Sequence, residues 1–471
     1  MELPRPARRS WWLEEALAQE AFAGPEAPPL DRDLEADVVV LGGGYTGMWA
    51  AWFLKEREPD TEVVLLEQDI CGGGPSGRNG GFVNSFAYEV EELERLYGRA
   101  LALRIVRASE ESVEAIGAWC LKHGVDAWFE RTGDVGVATS PAQEPRARDI
   151  VATAERIGAP EMHQALTRDE VRARCDSPLF RIGVYSPNGA GVQPARLARG
   201  LRNALLERGV RIHEFTPVTG FRGGGRVEVR TPNGTVRAER AVVGLNAWAR
   251  NLEPFRRSLM VRGTYMVVTA PAPERLAEIG WTGGEGLYDF RTSLHYLRAT
   301  PDGRIAFGGA GHKVTSTRRV DARFQYDERS VQRLVEDLHA WFPSFRDVGI
   351  EAGWGGPIDV SGRHLPFLGT LPGGRVHYAL GFTGNGVGPC HLAGRIVSGL
   401  ALDAVDEWTT LPIVGDRPKL FPREALFVPG ERIVTSAVVR KDDREECGQP
   451  AGSITGALAR LPRRLGFNLG P

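Results

Sequence analysis

The stretch from Asp37 to Gln68 constrains this chain more than any other. Asp37-Val-Val-Val-Leu runs into Gly42-Gly-Gly44-Tyr45-Thr46-Gly47, a helical segment follows, and Val63-Val-Leu-Leu leads to Glu67-Gln68. The pattern is a strand, a tight turn, a helix and a second strand ending on an acid. Gly42 permits the turn, Gly44 lets backbone approach a pyrophosphate, and Gly47 lets the helix pack closely on the sheet. Phosphate charge then faces the helix N-terminus, where backbone N–H groups and the positive end of the dipole converge. Glu67 follows Gly42 by about 25 residues, where a carboxylate accepts from ribose hydroxyls and repels a 2'-phosphate. A glycine triplet alone is a common turn; strand, helix and acid in register specify a dinucleotide site and disfavour NADP.

A second glycine cluster separates FAD from NAD. Gly72-Gly73-Gly74-Pro-Ser76-Gly77-Arg78-Asn79-Gly80-Gly81 can lie flat against a large planar ligand, which a nicotinamide cofactor does not need. A third signal lies near the end: Val376 to Gly381 reads as a strand, followed by Phe382-Thr-Gly384-Asn385-Gly386-Val387-Gly388 and an apolar helix. That helix N-terminus, aimed at the pyrimidine edge of a flavin, would stabilise negative charge on the reduced ring.

The 471 residues, 42% of them hydrophobic, are enough for two cores. A formal net charge of -2 with interspersed signs excludes a nucleic-acid footprint. Cys71, Cys120, Cys175, Cys390 and Cys447 are scattered and lack a CxxC, which fits a reducing compartment and no metal site. Arg8-Arg9 precedes Glu14, Glu15 and Glu20 where an export signal needs apolar residues, and no run approaches ~18 apolar residues. A cytoplasmic protein without membrane contact is expected.

In chain order, Ser10 to Ala23 forms a docked N-terminal arm with Ser10 as N-cap. Tyr88 to His123 carries a long helical pattern, and Pro194 to Glu207 another. Arg226 to Ala238 is a hairpin around Pro232-Asn-Gly234, and Ala241 to Trp248 is a buried strand with a loop at its carboxyl end. Alternation over Arg262 to Ala270, Leu294 to Arg298 and Arg304 to Phe307 marks a second, antiparallel sheet. Tyr296 and Arg298 share one of its faces and His295 the other, so alternation does not choose the reactive side. The fold class is α/β, with a discontinuous Rossmann-like FAD-binding domain (31–90, 190–250, 350–405) and a second α+β substrate domain built on an antiparallel sheet (91–189, 251–349). Residues 1–30 are the arm and 406–471 a tail packed on the surface.

Several segments together resemble the D-amino-acid-oxidase-like superfamily of FAD-dependent amine oxidases. They are Ser10-Trp-Trp-Leu, the Gly42 and Gly72 clusters, Gly191-Val-Gln-Pro194, Asn246-Ala247-Trp248, Trp354-Gly-Gly356, Pro366-Phe-Leu-Gly369 and Gly381-Phe-Thr-Gly384-Asn-Gly386. The opening, Ser76-Gly-Arg-Asn-Gly-Gly81 and the basic tail look most like the γ-glutamylputrescine oxidase and aminophosphonate oxidoreductase branch. The resemblance implies an FAD site that also takes in Val218, Asn246, Ala247, Trp248 and Gly356. It implies an antiparallel sheet over the flavin and hydride transfer from the carbon beside an amine to flavin N5. Oxygen is the expected acceptor, with another acceptor or a non-catalytic flavoprotein as alternatives.

Three departures refine this. Sarcosine oxidases tether the flavin through a cysteine where Gly356 stands, which implies non-covalent FAD. Their oxygen-activating lysine is matched by Ala306, and the lysine that grips a substrate carboxylate by Gly388. The substrate-side candidates are His295, Tyr296, Arg298 and Lys313, with Arg298 able to hold a carboxylate or phosphonate bidentately.

Overall fold

A computed structural model of the protein describes Pro4, residues 9–310 and residues 320–468. Lys313 lies outside the described residues.

Two eight-stranded sheets organise the chain. The core of the first runs Val376–Leu380, Thr235–Val243, Leu34–Leu41, Val63–Leu66, Arg211–His213, all parallel. Val38 to Leu41 and Val63 to Leu66 are buried without interruption, as strands covered on both faces must be. Thr235–Val243 merges two segments that sequence reading separates. Along one edge it runs parallel to Leu34–Leu41 from Val236 to Val243; along the other its first half pairs antiparallel with Val227–Arg230 across the hairpin and its second half parallel with Val376 to Tyr378. No turn residue intervenes between Ala238 and Ala241, so the chain crosses from hairpin to core in one strand.

Helix Tyr45–Arg57 is buried over its first ten residues because it is sandwiched between this sheet and helix Val387–Ala401. The two helices touch at Gly394, where a Cβ would lie 2.6 Å from that of Trp49. The long helical pattern from Tyr88 to His123 breaks at Gly98, whose φ of +77° separates Val90–Tyr97 from Arg99–Lys122.

The second sheet runs Ile350–Val360, Met260–Thr269, Ile305–Ala310, His295–Ala299, Gly286–Asp289, Asp134–Val137, Gly183–Ser186, Gln164–Leu166. All its pairings are antiparallel except the one between Gly286–Asp289 and Asp134–Val137. Ile350–Val360 corrects the expected boundary. It pairs with Met260–Thr269 from Ile350 to Val360, so it belongs to the substrate sheet, and the nucleotide sheet resumes only at Phe367. Burial from Gly353 to Pro357 on both faces makes this strand read like a parallel core strand.

One face of the second sheet is covered by helix Glu328–Trp341, whose Leu334, Leu338 and Trp341 pack on Val267, Leu297 and Phe307. The other face carries Met266, Ala306 and Trp354 and receives Trp12 and Leu13 of the N-terminal arm. Ser10 caps helix Trp11–Leu17 by accepting from Leu13 N–H at 3.1 Å, and its hydroxyl donates to the carbonyl of Gly77. The arm thus fixes the second glycine cluster from behind. At the other end, helix Glu424–Glu446 lies along the substrate domain, where Asp442 accepts from Ser293 N–H at 2.9 Å. Among the described residues no helix is long and apolar enough to cross a membrane.

Candidate active site

Two glycines of the first turn, Gly42 and Gly47, are close-packed against backbone. A Cβ at Gly42, where φ is +107°, would lie 2.6 Å from Gly244 O, and one at Gly47 would lie 2.0 Å from Gly42 O. Gly44 and Gly386 are the N-caps of helices Tyr45–Arg57 and Val387–Ala401, and neither makes a side-chain cap bond. Both helix N-termini face one cleft of about 1340 Å³ with their positive ends, and in the first of them Tyr45 N–H donates to the Ser76 hydroxyl at 2.9 Å.

Three separated pieces of chain line that cleft. The first contributes Gly42, Gly44, Tyr45, Thr46, Glu67 and Gln68, then Gly74, Ser76 and Asn79. The middle contributes Val218, Asn246 and Trp248, and the last Gly384, Gly386 and Val387. The remaining predicted residues support the wall from behind. A Cβ at Gly77 would lie 2.3 Å from Gly72 O, and Arg78 donates to the carbonyls of Gly73 at 2.8 Å and Gly355 at 3.1 Å. Gly47, Gly73, Gly80, Gly81, Ala247, Gly356 and Asn385 likewise stand outside the lining. Asn79 holds its own loop, donating to Pro75 O and Ser76 O and accepting from Gly81 N–H at 2.7 Å.

Glu67 is fixed at the rim by Gly43 N–H at 2.8 Å and Asp69 N–H at 2.9 Å. Burial raises its pKa to about 7 against those two bonds. It stands one residue beyond Val63–Leu66, where a ribose acceptor is expected.

Asp359 was not singled out from sequence and is the hub of the far wall. It is fully buried, accepts from Gly381 N–H at 2.6 Å and from the Asn246 amide at 2.9 Å, and offers its carbonyl to Thr383 N–H at 3.0 Å. Asn246 and Thr383 both have positive φ, +46° and +55°, so left-handed backbone is held on either side of this carboxylate. For a β-branched residue such as Thr383 that conformation is strained, and such strain clusters at ligand sites. A lone acid inside the apolar Trp354 to Val360 strand was the available signal.

Strand pairing settles which face of the second sheet looks toward the glycine loop. Tyr296 stands opposite Gly308 and Tyr288, Gly308 opposite Met266, and Met266 opposite Trp354. Tyr296 reaches the Thr264 side chain, and its ring meets Phe82 edge-on at 6.2 Å. A Cβ at Gly80 would lie 2.7 Å from that ring, so glycine is what lets the loop approach the sheet. Arg298 is buried on the same face and donates to the carbonyls of Gly81 (3.2 Å) and Val192. Burial lowers its pKa to about 10. Those bonds, both from Nη1, make it a brace between loop and sheet.

His295 is placed on the opposite face and is corrected as a substrate-side residue. Its Nδ1 meets Asp289 at 2.8 Å and its Nε2 meets Asp337 at 3.2 Å, under helix Glu328–Trp341. Beside Tyr296, sequence reasoning missed Asp134, which is buried, accepts from the Tyr88 hydroxyl at 3.2 Å, and is pushed by burial to about 8. Nothing in its Asp-Val-Gly-Val strand distinguishes it from an edge acid. The two lysine departures also have a structural basis. Ala306 is sealed among Trp12, Met266 and Trp354, and a Cβ at Gly388 would lie 2.2 Å from Asn84 O.

This arrangement fits FAD. Glycine-capped helix ends accommodate a pyrophosphate and a flavin pyrimidine edge, Glu67 a ribose, and the flat glycine loop the ring system. Comparisons with known proteins agree. The chain is 28% identical over 396 residues to the probable oxidoreductase OrdL of Rhizobium meliloti (strain 1021), covering 83% of this chain and 88% of that one. It is 30% identical over 401 residues to gamma-glutamylputrescine oxidoreductase of Escherichia coli (strain K12), covering 83% and 91%. Glycine oxidase from Geobacillus kaustophilus shares the fold, with a TM-score of 0.65 at 22% identity over 82% of this chain and 99% of that one. Residues 37–400 match the DAO family, described as FAD dependent oxidoreductase. The chain belongs to that family and is an FAD-dependent oxidoreductase.

Proposed function

We propose that the protein oxidises a primary or secondary amine to its imine, with the substrate an amino acid, an aminophosphonate or a γ-glutamyl polyamine, and with oxygen as acceptor. FAD, when bound, supplies the hydride acceptor at N5. The chain's own task is to receive the amine with its nitrogen lone pair free, orient the adjacent C–H, and exclude water.

The observation that carries this reading is the sheet face bearing Tyr288 and Tyr296 next to Asp134. Burial raises Tyr296 to about 12 and Asp134 to about 8, so these two present neutral hydrogen-bonding groups at physiological pH, while Arg298, a cation on the same face, donates to the carbonyls of Gly81 and Val192. Such a wall favours a neutral amine over an ammonium ion and contains no strong base, which hydride transfer from a neutral amine does not require. Tyr296, held by Thr264, orients the substrate; Arg298 keeps the Gly81 backbone against the sheet. The names of the relatives, one acting on gamma-glutamylputrescine, support the amine class. FAD bound without a covalent link is part of the same proposal, since Gly356 offers no side chain.

A second acceptor is favoured by one observation. Ala306 stands in an apolar cluster, so no cation arises from that position to assist oxygen. Anaerobic addition of amines, including aminophosphonates and γ-glutamylated polyamines, should bleach the bound flavin. Peroxide on admitting air then identifies an oxidase and its absence a dehydrogenase. Failure of every amine to bleach the flavin overturns the reading.

A further inference from the structure

The last helical segment turns its apolar side outward. Helices Ser453–Ala459 and Leu461–Arg464 follow one another with only Arg460 between them, and Arg460 keeps right-handed helical backbone. Arg460 N–H donates to Gly456 O at 3.2 Å, Arg464 N–H to Arg460 O at 3.1 Å and Leu465 N–H to Leu461 O at 3.1 Å, so the helical phase carries through. At 3.6 residues per turn, Ile454, Leu461 and Leu465 fall within about 40° of one line, and Gly456 falls on the opposite side. Gly456 is the one buried residue of the two helices, and the segment packs beside helix Glu424–Glu446. Ile454 is 76% exposed, Leu465 61% and Leu461 39%. The small side faces the protein, and the large aliphatic side faces away.

Charge accompanies the stripe. From Gln449 to Asn468 the chain carries Arg460, Arg463 and Arg464 and no acidic residue. All three arginines are exposed, and none makes an ion pair among the described residues. Lys419 adds a further cation at the end of the stripe, where its Nζ donates to Leu465 O at 2.7 Å. The segment is pinned at that end: Phe467 stacks on Phe421 at 5.3 Å, and Asn468 N–H donates to Gly362 O at 3.0 Å. Gly362 lies just beyond strand Ile350–Val360, so the segment is tied to the strand that carries Asp359.

We propose that residues 453–465 form an interfacial helix that seats the protein on an anionic phospholipid surface. The aliphatic stripe enters the headgroup boundary and the arginines meet lipid phosphates, the arrangement in which a helix too short to span a bilayer lies along it. Apolar side chains exposed singly need no explanation, but a helical stripe of them among unpaired cations does. A second copy of the chain fits less well, because a two-fold contact sets the same arginines against each other. Seating of this kind needs no spanning run, whose lack underlies the expectation of no membrane contact.

The test uses the FAD-loaded full chain, sedimented with vesicles of equal parts phosphatidylcholine and phosphatidylglycerol or with vesicles of phosphatidylcholine alone. The wild type should pellet with the mixed vesicles, bind the neutral ones at least about tenfold more weakly, and be released by molar salt. Two triple variants, Ile454→Ser/Leu461→Ser/Leu465→Ser and Arg460→Gln/Arg463→Gln/Arg464→Gln, should each lose at least about tenfold in binding to the mixed vesicles. All six side chains are exposed, so flavin content and melting temperature should match the wild type. Wild-type protein left in the supernatant overturns the seating, as does either variant binding like the wild type. A wild-type dimer that the serine variant dissociates also overturns it, since the stripe would then be a subunit contact. Sedimentation needs no turnover, so its outcome is independent of which amine reduces the flavin.

Discussion

Gly44 and Gly47 lie in one turn and should fail in different ways when each is replaced by alanine. A Cβ at Gly47 meets Gly42 O at 2.0 Å and Val40 Cγ1 at 3.0 Å, both parts of the fold that cannot swing aside. Overpacking of this kind costs about 1 to 3 kcal/mol, and relieving it displaces the Gly42 turn itself. Gly47→Ala should therefore lower the melting temperature of the apoprotein and its FAD affinity together. A Cβ at Gly44 meets only Ser76 Oγ at 3.1 Å, a small side chain that can give. Replacing an N-cap glycine by alanine costs about 0.5 kcal/mol. The methyl group would nevertheless project where pyrophosphate approaches the helix end, so FAD affinity should fall tenfold or more, about 1.4 kcal/mol. Gly223→Ala, with nothing within 4 Å, serves as the neutral control. Thermal melts of the apoproteins and titration with FAD by fluorescence quenching separate the two quantities. If Gly44→Ala binds FAD as the wild type does, or destabilises the apoprotein as much as Gly47→Ala, the assignment of pyrophosphate to this turn is refuted.

Asp359→Ala should strand the Gly381 N–H and the Asn246 amide, costing about 1 to 3 kcal/mol in urea melts and weakening FAD binding, and Asp359→Asn, which keeps one acceptor oxygen and sets an NH2 against the other donor, should also destabilise. Ser10→Ala removes a helix cap and the donor to Gly77, so the melting midpoint should drop by an amount equivalent to about 1 kcal/mol. For His295, burial alone would lower the pKa, but the Asp289 and Asp337 carboxylates outweigh it and raise it from 6.5 to about 9. A raised folded-state value means its stabilisation is whole below pH 6.5 and is lost as pH climbs through 9. His295→Gln should thus narrow its stability deficit against wild type, by up to a few kcal/mol, between pH 6 and pH 9.5; a constant deficit would contradict the ion cluster.

The nucleotide half of the fold was legible because each piece carries a local rule. Glycine spacing, an apolar run and a terminal acid require no knowledge of distant contacts, so Gly42 to Glu67 and Gly381 to Val387 could be read directly. The substrate half depends on pairing. His295, Tyr296 and Arg298 alternate, and only their registers with Gly309, Gly308 and Ala306 decide which of them looks toward the cofactor loop. Arg298 shows a second limit: its partners are the carbonyls of Gly81 and Val192, distant in sequence, and carbonyls leave no trace in residue identity. Asp359 and Asp134 escaped notice for the complementary reason, since a single acid in an apolar strand becomes meaningful only when the groups it accepts from are known.

One FAD clasped by three separated segments without a covalent link is what the site is proposed to hold. Acid precipitation of the purified, FAD-saturated protein tests it directly. The prediction is one flavin per chain, all of it released to a yellow supernatant. Flavin retained in the pellet would contradict the non-covalent site, and protein that takes up no flavin would contradict the clasp itself.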